Sequence, residues 1–230
     1  MVKACLVDVY ETILDPDFGS RVPALAAFAG VDADVWFAEW IKASAERDRG
    51  KLSVASSLAQ TLLACGVEPE RELVDDLARL DGELMREHCR LYDDSVPFLA
   101  ALREQGILIA LVSNCGDTTR SLLDYLGIPP LADSVILSCE VGSMKPSPDI
   151  YLSALEDLGV AATDAVMIDD QPSFCVGAVP IWVPVVLPSA MFTPSAHAPT
   201  TLKHWRLSVT LEIVPAPATT VASRTWGVVG

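Results

Sequence analysis

The chain is predicted to be an α/β protein in which a doubly wound parallel sheet carries an inserted block of helices. From position 107 onward, short apolar runs of strand length alternate with helical segments, which is typical of βαβ units. The long stretch 15–93 instead has its apolar residues at three- and four-residue spacing, which indicates helices. Together these patterns predict an α/β core interrupted after its first strand.

The elements follow in a regular order along the chain. The run KACLVDV (3–9) is predicted to be a buried strand that ends at an acid. Helices are predicted at 22–30, 33–48, 54–66, 70–92 and 96–106, followed by a strand at 107–114, a helix at 118–127, a strand at 133–139, a helix at 148–159 and a strand at 164–170. The predicted domains are a core made of 1–14 and 94–230 and a helical insertion at 15–93.

The last stretch of the chain, 172–230, differs in composition from the rest. It holds eight of the sixteen prolines, and Glu212 is its only acid. Prolines interrupt each apolar piece, so no amphipathic helix fits there. Two interpretations remain open: short strands and loops that finish the domain, or a tail of foreign origin such as a shifted reading frame would produce. Residues after about 185 are expected to pack poorly and open easily.

Composition excludes several classes of partner. Acids outnumber bases by 31 to 16, for a net charge of −15. Such a surface repels phosphate backbones and anionic lipids, so neither nucleic acid nor a membrane is expected as a partner. Apolar residues make up 51% of the chain, as in a globular protein that buries a core. A small molecule is the expected partner.

The cysteines and the N-terminal sequence indicate a reducing cytoplasm. The six cysteines form no C-x-x-C pair, and the three histidines lie far apart in sequence, which disfavours a zinc cluster. Asp8 and Glu11 interrupt the apolar run that a secretory signal would need. No uncharged apolar run of membrane-spanning length occurs before Asp170. The cysteines are therefore expected to be small buried hydrophobes.

Polar side chains cluster at the predicted strand ends. Asp8, Tyr10 and Thr12 follow the first strand; Ser113 and Asn114 end the second; Lys145 precedes a helix; Asp169 and Asp170 end the last clear strand. Ligands of such sheets bind outside the carboxyl ends of the strands. Carboxylates grouped with a hydroxyl and an ammonium are typical of a hard cation held beside an anion.

These segments carry a family resemblance. The runs LVDVYETIL, LVSN, MKPSPDIY and MIDDQP resemble, in order and spacing, the four motifs of the haloacid dehalogenase-like (HAD) hydrolase superfamily. The resemblance spans residues 3–178 and implies a Rossmann-like core with a C1-type helical cap at 15–93. It also implies Mg²⁺ as cofactor.

The resemblance implies a role for each residue that matches a motif. Asp8 matches the nucleophile, and Lys145 matches the lysine that steadies the nucleophile and the anion. Ser113 matches the hydroxyl that binds the transferred group, with Thr12, Asn114 and Lys145 also expected at the substrate. The expected metal-binding positions are Asp8, Tyr10, Asp169 and Asp170. Tyr10 is included among the catalytic residues because it stands two residues after the nucleophile.

The chain departs from the phosphatase pattern at Tyr10. Phosphatases of the family usually have a second aspartate there, which protonates the leaving group and later activates water. A phenol with a pKa near 10 can donate a proton but is a poor base at pH 7. Tyrosine at this position resembles the L-2-haloacid dehalogenase branch, whose motif reads D-x-Y-G-T. Here Glu11 replaces the glycine and is either a nearby base or a solvated surface acid.

Two further departures weigh against the dehalogenase branch. Phe174 stands where both branches usually keep Asp or Asn, and Phe37 stands where dehalogenases have an arginine that grips the substrate carboxylate. The adjacent acids Asp169 and Asp170 favour a metal and would repel a haloacid anion. The expected function is therefore a Mg²⁺-dependent phosphatase of a small phosphorylated metabolite, acting through an aspartyl-phosphate. The alternatives are an L-2-haloacid dehalogenase-like hydrolase and a catalytically weak family member with a binding role.

Overall fold

The computed structural model describes residues 2–178, 185–186, 210–213 and 222–225. Among these residues the strands are β1 (Ala4–Val7), β2 (Leu14–Asp15), β3 (Arg90–Leu91), β4 (Leu108–Ser113), β5 (Ser134–Leu137), β6 (Ala165–Ile168), β7 (Val185–Val186), β8 (Thr210–Ile213) and β9 (Ala222–Thr225). The helices are α1 (Phe18–Ala29), α2 (Ala33–Lys42), α3 (Ser44–Asp48), α4 (Val54–Ala64), α5 (Arg71–His88), α6 (Ser95–Glu104), α7 (Thr119–Tyr125), α8 (Ser138–Val141), α9 (Pro148–Leu158) and α10 (Pro172–Ala178).

A parallel sheet forms the centre of the described part of the chain, with the strand order β5-β4-β1-β6-β7. Helices connect its strands, because parallel neighbours need crossover connections. β1 lies between β4 and β6 and pairs with both. The predicted α/β fold with a doubly wound parallel sheet is confirmed.

Alternate side chains of β1 supply both faces of this sheet, as the two-residue period of a strand requires. Ala4 and Leu6 pack with Tyr151 of α9 in one buried cluster, whereas Cys5 and Val7 belong to the cluster on the opposite face. None of the four β1 side chains is more than 1% exposed. Each large aliphatic side chain buried in this way contributes roughly 1.5–3 kcal/mol. Burial on both faces explains why the run is apolar without alternation.

Residues 18–88 form a helical module around an apolar cluster of their own. Trp36, Leu58, Leu62 and Leu77 occupy its centre, and each of them is 0% exposed. Leu58 and Leu62 are four residues apart, so they lie on one face of α4. The module therefore has a core separate from the two clusters on the sheet.

Side-chain caps and a short ribbon define the limits of the module. Asp32 begins α2 by accepting hydrogen bonds from two backbone N–H groups, and Ser53 begins α4 by accepting one, from Ser56. The predicted helix at 33–48 is divided into α2 and α3. The chain leaves the core through β2 and returns through β3, which pair antiparallel. The helix period predicted for 15–93 missed this ribbon because its strands of two residues are too short to show alternation.

The helical module contacts the core through the segment between α3 and α4. The backbone N–H of Val54 donates to Asp117 Oδ1 at 3.0 Å, in the loop after β4. Gly50 has a φ of 68°, and a Cβ added there would lie 1.9 Å from the carbonyl oxygen of Cys139 in α8. Only glycine fits this approach, because any side chain would meet backbone. The module is thereby held over the carboxyl ends of β4 and β5.

Most of the compositionally atypical segment lies outside the described residues. The expectation of poor packing after residue 185 falls there and stays a prediction, as do both interpretations of the segment. Of its described parts, β7 extends the sheet beside β6, and β8 pairs antiparallel with β9. None of the described helices is long and apolar enough to cross a membrane.

Candidate active site

The ends of three adjacent strands bring the acids and a hydroxyl together. Val7 is paired with Ile168, so the next residue on each strand, Asp8 and Asp169, lie side by side. The backbone N–H of Asp8 donates to Ile168 O at 2.9 Å, which extends the ladder by one residue beyond Val7. Ser113 is the last residue of β4, on the other side of β1. The predicted convergence at the carboxyl edge of the sheet is therefore present.

Three carboxylates form a compact, buried group. One oxygen of each of Asp8, Asp169 and Asp170 lies within 4.8 Å of the others. The three residues are 5%, 0% and 7% exposed, respectively. Like charges at this distance repel one another strongly when they are buried, because little water screens them. The three carboxylates therefore require compensating positive charge.

Lys145 supplies part of that charge. Its Nζ donates to Asp8 Oδ1 and, at 2.7 Å, to Asp169 Oδ2, while the residue is only 1% exposed. Burial lowers the pKa of Lys145, but the charges of Asp8 and Asp169 outweigh burial and raise it overall. The ammonium is therefore kept charged. The ring of Phe174 lies 5.2 Å from Nζ, within the range of a cation–π interaction.

Asn114 holds the backbone of Lys145 in place. Its Nδ2 donates to Lys145 O at 2.9 Å, and its Oδ1 accepts from Lys145 N at 2.7 Å. This paired contact fixes the start of the lysine side chain relative to the end of β4. The side chain predicted to bind substrate thus contacts the lysine directly, and substrate binding by Asn114 stays a prediction.

Thr12 connects Asp8 to the last acid of the group. Its Oγ1 donates to Asp8 Oδ2 at 3.0 Å and accepts from the backbone N–H of Asp170 at 3.2 Å. Each oxygen of Asp8 therefore has a donor, Lys145 on one side and Thr12 on the other. This pair of contacts fixes the orientation of the carboxylate.

The two outer acids differ in how they are satisfied. Asp169 accepts from Lys145 with one oxygen and from the backbone N–H of Gln171, at 2.8 Å, with the other. The carboxylate of Asp170 has no hydrogen-bond or ion-pair partner among the described residues. Burial, followed by the charges of Asp8 and Asp169, raises the pKa of Asp170 to about 7. Asp170 is the carboxylate most in need of a cation.

Two effects act in opposite directions on the pKa of Asp8, the candidate nucleophile. Burial raises the pKa of Asp8, and the nearby charge of Lys145 counteracts that rise. Ser113 Oγ, at the end of the neighbouring strand, is buried and has no hydrogen-bond partner among the described residues. A buried hydroxyl without a partner costs free energy, so it indicates a group that binds there from outside the chain.

Tyr10 is oriented toward α7. Its hydroxyl shares a hydrogen bond with the hydroxyl of Thr119 at 3.1 Å. Burial raises the pKa of the phenol above its ordinary value, so Tyr10 stays protonated at neutral pH. A cavity of about 200 Å³ between α5 and α7 reaches this side chain, with Arg79 and Arg86 among its lining residues. The part of Tyr10 in catalysis and metal binding stays a prediction.

The donor set fits the magnesium ion that the sequence predicts. Asp8 and Asp170 offer carboxylate oxygens, which are the ligands that Mg²⁺ prefers, and water can complete its octahedron. The carboxylate of Asp170 has no other partner in the described chain, and its raised pKa marks a place where positive charge is lacking. Asp169 is already engaged by Lys145 and Gln171, which makes it a less suitable ligand than Asp170.

Sequence analysis missed two contributors to this site. The sequence shows Phe174 only as the loss of an acid. In the structure its ring faces Lys145, and its carbonyl oxygen accepts a hydrogen bond from the hydroxyl of Tyr151. Asp117 joins the helical module to the loop after β4. No motif distinguishes either residue, because each acts through a partner that is distant in sequence.

The fold and this site are those of a hydrolase that works at the carboxyl edge of a parallel sheet. The family model described as haloacid dehalogenase-like hydrolase matches residues 2–173. The chain belongs to this family, so the predicted resemblance is confirmed.

Curated relatives include two phosphatases. The phosphoserine phosphatase of Thermus thermophilus is 34% identical over 116 residues, which cover 49% of this chain and 45% of that protein. The glyceraldehyde 3-phosphate phosphatase of Methanopyrus kandleri is 29% identical over 178 residues, covering 74% and 76%. The chain spans just under half the length of the first relatives it matches.

Solved structures show the same fold. A HAD family enzyme of Bacteroides thetaiotaomicron, also known in complex with magnesium and inorganic phosphate, superimposes with a TM-score of 0.67 at 17% identity, covering 82% of this chain and 94% of that one. The L-2-haloacid dehalogenase of Xanthobacter autotrophicus superimposes with a TM-score of 0.58 at 24% identity, covering 80% and 76%.

Proposed function

We propose that this protein is a Mg²⁺-dependent phosphatase of a small phosphorylated metabolite. The observation that carries the proposal is the composition of the buried group: three carboxylates lie around one lysine, beside the hydroxyl of Ser113, which has no hydrogen-bond partner among the described residues. The carboxylates lack a second cation and the hydroxyl lacks an acceptor, and a magnesium phosphate ester supplies both. The phosphatases among the curated relatives support the same choice.

In the proposed reaction, Asp8 attacks the phosphorus atom. A bond forms between a carboxylate oxygen and phosphorus as the bond to the ester oxygen breaks, and the leaving oxygen takes up a proton. Water then attacks the aspartyl-phosphate, which releases phosphate and restores Asp8. The donors Lys145 and Thr12 hold the carboxylate in position for the attack, which favours reaction by fixing the geometry beforehand.

Charge neutralisation is the main task of the surrounding residues. Lys145 offsets the repulsion between the carboxylate and the phosphate, and Ser113 donates its hydrogen bond to a phosphoryl oxygen. Mg²⁺ held by Asp8 and Asp170 would supply further positive charge at the phosphoryl group. Asp169 and Asn114 act through Lys145, one on its ammonium and the other on its backbone.

We further propose that the helical module acts as a cap of the C1 type, with the core formed by the rest of the chain. The contacts of Val54 and Gly50 with the core hold the module over the strand ends. In this position it can enclose a small substrate and exclude water during transfer. The side chains of the module then determine which phosphate ester is accepted.

The proposal is tested by a screen for released phosphate over a panel of phosphorylated metabolites, with and without Mg²⁺. The expected result is turnover of at least one ester with Mg²⁺, its loss on chelation, and its absence in the Asp8→Asn variant. Calorimetry of Mg²⁺ with wild type and Asp170→Ala measures the metal site without substrate. Metal binding that is unaffected by Asp170→Ala would contradict the assignment of that ligand.

One observation favours a second candidate. Tyrosine two residues after Asp8 is a feature that the sequence shares with L-2-haloacid dehalogenases, one of which has the same fold. Chloride release from 2-chloropropionate without metal would establish that activity. Against it, Phe37 is 47% exposed and offers no charge to a carboxylate, and the acid pair at 169–170 repels a haloacid. If neither phosphate nor chloride is released, the result would favour a binding role.

A further inference from the structure

Two cysteines lie next to each other beside the candidate site. Ser113 of β4 is paired with Leu137 of β5, and Cys115 and Cys139 each stand two residues further along. Ser138 keeps the two segments together: its Oγ accepts from the backbone N–H of Cys115 at 2.9 Å and donates to Cys115 O at 3.3 Å. Cys139 directly follows Ser138 in α8, so these bonds place its backbone beside Cys115, and a disulfide needs Cα atoms about 4.4–6.8 Å apart.

The two thiols lie close enough to share a hydrogen bond, which raises the pKa of Cys115 and lowers the pKa of Cys139. The S–H of Cys115 can also donate to the carbonyl oxygen of Ser113, which lies 3.8 Å from its sulfur. Cys115 is only 5% exposed, whereas Cys139 is partly open to solvent. Cys139 is therefore the thiolate that a dissolved oxidant meets first, because reactivity follows thiolate character and access.

The other cysteines of the described chain differ from this pair. Cys5, Cys89 and Cys175 are buried, and burial raises their pKa values to about 12, 11 and 12, respectively. Cys65 is partly exposed in the helical module, and burial raises its pKa as well. Only the pair at the strand ends combines a neighbouring thiol with access to solvent.

We propose that Cys115 and Cys139 are an oxidation site that a peroxide converts to a disulfide, and that this disulfide slows the enzyme. The Cys139 thiolate attacks the peroxide, forming an S–O bond as the O–O bond breaks, and the released oxygen leaves as water. The sulfur of Cys115 then attacks the sulfenic sulfur, and the S–O bond breaks as the S–S bond forms. The Cys115 proton leaves with the second water.

The position of the pair explains the expected effect on turnover. Cys115 directly follows Ser113 and Asn114 in the chain. Ser113 is proposed to bind the phosphate, and Asn114 holds the backbone of Lys145. Cys139 lies directly under Gly50 of the helical module. Formation of the disulfide draws the two sulfurs closer together. Because the interior is closely packed, this shifts both the segment that contacts Lys145 and the segment that contacts Gly50. The effect on turnover rests on the proposed function, whereas formation of the disulfide does not.

The test uses the full chain treated with hydrogen peroxide and then mapped by mass spectrometry. Cleavage after Lys, Arg and Glu separates the cysteines into the peptides 105–120 and 121–140, which each contain one. Wild type is expected to yield these two peptides joined, with two of its six thiols lost, and dithiothreitol is expected to separate them. Cys65→Ser serves as the matched control and should give the same joined peptides.

The Cys139→Ser variant is expected to yield no joined peptide and to keep its basal turnover of p-nitrophenyl phosphate. In wild type, peroxide is expected to lower that turnover several-fold, with recovery on reduction. Peroxide that oxidises only Cys65, or that joins no peptides, would overturn the oxidation site. A disulfide formed with unchanged turnover would overturn its effect on the enzyme, and a chain inactive before oxidation would count against the proposed function alone.

Discussion

One buried ion cluster lies in the core and another lies in the helical module. In the core, Lys145 pairs with Asp8 and Asp169, and Asp170 beside them has no hydrogen-bond or ion-pair partner for its carboxylate among the described residues. In the module, Arg21 Nε pairs with Asp81 Oδ1 at 2.5 Å, and Asp81 is 0% exposed. One cluster has an excess of negative charge, whereas the other is balanced.

The two clusters differ in charge rather than in hydrogen bonding, because Asp81 Oδ2 is itself buried without a hydrogen-bond partner among the described residues. The guanidinium of Arg21 also lies 5.7 Å from the ring of Trp40, and the second guanidinium over that ring, Arg47, lies at 4.1 Å. In the module, positive charge is satisfied within the chain. In the core, burial raises the pKa of Asp170, whose carboxylate has no partner within the part of the chain that the structure describes. Charge imbalance in a buried cluster is thus a better indicator of chemistry than burial itself.

The largest effect is expected for Asp8→Asn, which removes the nucleophilic charge. The amide is nearly isosteric, so the fold should persist, while turnover should fall by about 10⁴-fold or more, as for other lost nucleophiles. Phosphate release and a thermal melting curve measure the two properties. A variant with an unchanged melting curve that keeps more than a few per cent of activity would show that Asp8 is not the nucleophile.

The second effect concerns Tyr10→Asp, which introduces the base that phosphatases of the family usually have. The protonated phenol of Tyr10 is a poor base, so wild type should release a burst of p-nitrophenol and then turn over slowly. Tyr10→Asp should accelerate the slow phase, by up to roughly 10²–10⁴-fold. Tyr10→Phe, which removes the hydroxyl and its bond to Thr119, is the control. A wild type without a burst, with no gain in Tyr10→Asp, would favour the dehalogenase alternative.

The third prediction tests the balanced cluster. Arg21→Ala leaves Asp81 buried without a cation, which should lower the free energy of unfolding by about 3–5 kcal/mol. The Mg²⁺ affinity of the core should stay the same, since Arg21 belongs to the module. Urea unfolding and calorimetry measure the two quantities. The variant carrying Arg21→Leu and Asp81→Leu should recover most of the loss, and a loss equal to that of Arg21→Ala would refute the charge argument.

The smallest effect on activity is expected for Gly50→Ala, with Gly66→Ala as its control. Both glycines have a positive φ, so the backbone conformation alone should cost each substitution about 1–2 kcal/mol in unfolding free energy, and Gly50→Ala should cost more because its Cβ meets backbone. Only at Gly50 would the new Cβ meet the carbonyl of Cys139; at Gly66 nothing lies within 4 Å. Gly50→Ala should therefore also raise KM for a phosphate ester by displacing the module. Equal KM values in the two variants would show that this contact does not control the substrate.

Sequence patterns predicted the sheet and its edge well because their signals are local. The apolar run of β1 and the acids after β1 and β6 are visible in a few consecutive residues, and the strand order then brings Asp8 and Asp169 together. Ser113 and Lys145 are visible in the same way, at a strand end and before a helix, and the family resemblance adds the roles expected of them.

Contacts between distant residues were beyond the reach of the sequence. Arg21 and Asp81 are sixty positions apart on two amphipathic helices. In the sequence alone, each has the pattern of a charged residue on a solvent-exposed helix face. The pairing of Cys115 with Cys139 depends on the register of β4 and β5, which a strand boundary alone does not give. The orientation of Tyr10 toward Thr119 depends on how α7 packs. Each of these features is a property of tertiary packing rather than of local pattern.

The central position of β1 has a consequence for how the chain folds during synthesis. Its partners, β4 and β6, begin at Leu108 and Ala165, so the first strand of the sheet waits for more than a hundred residues to be made. At about 5–20 residues per second, β4 is completed roughly 5–20 s after β1. The helical module, whose contacts are local, can form in that interval. Asp8, the proposed nucleophile, is thus synthesised well before the strands that pair with β1.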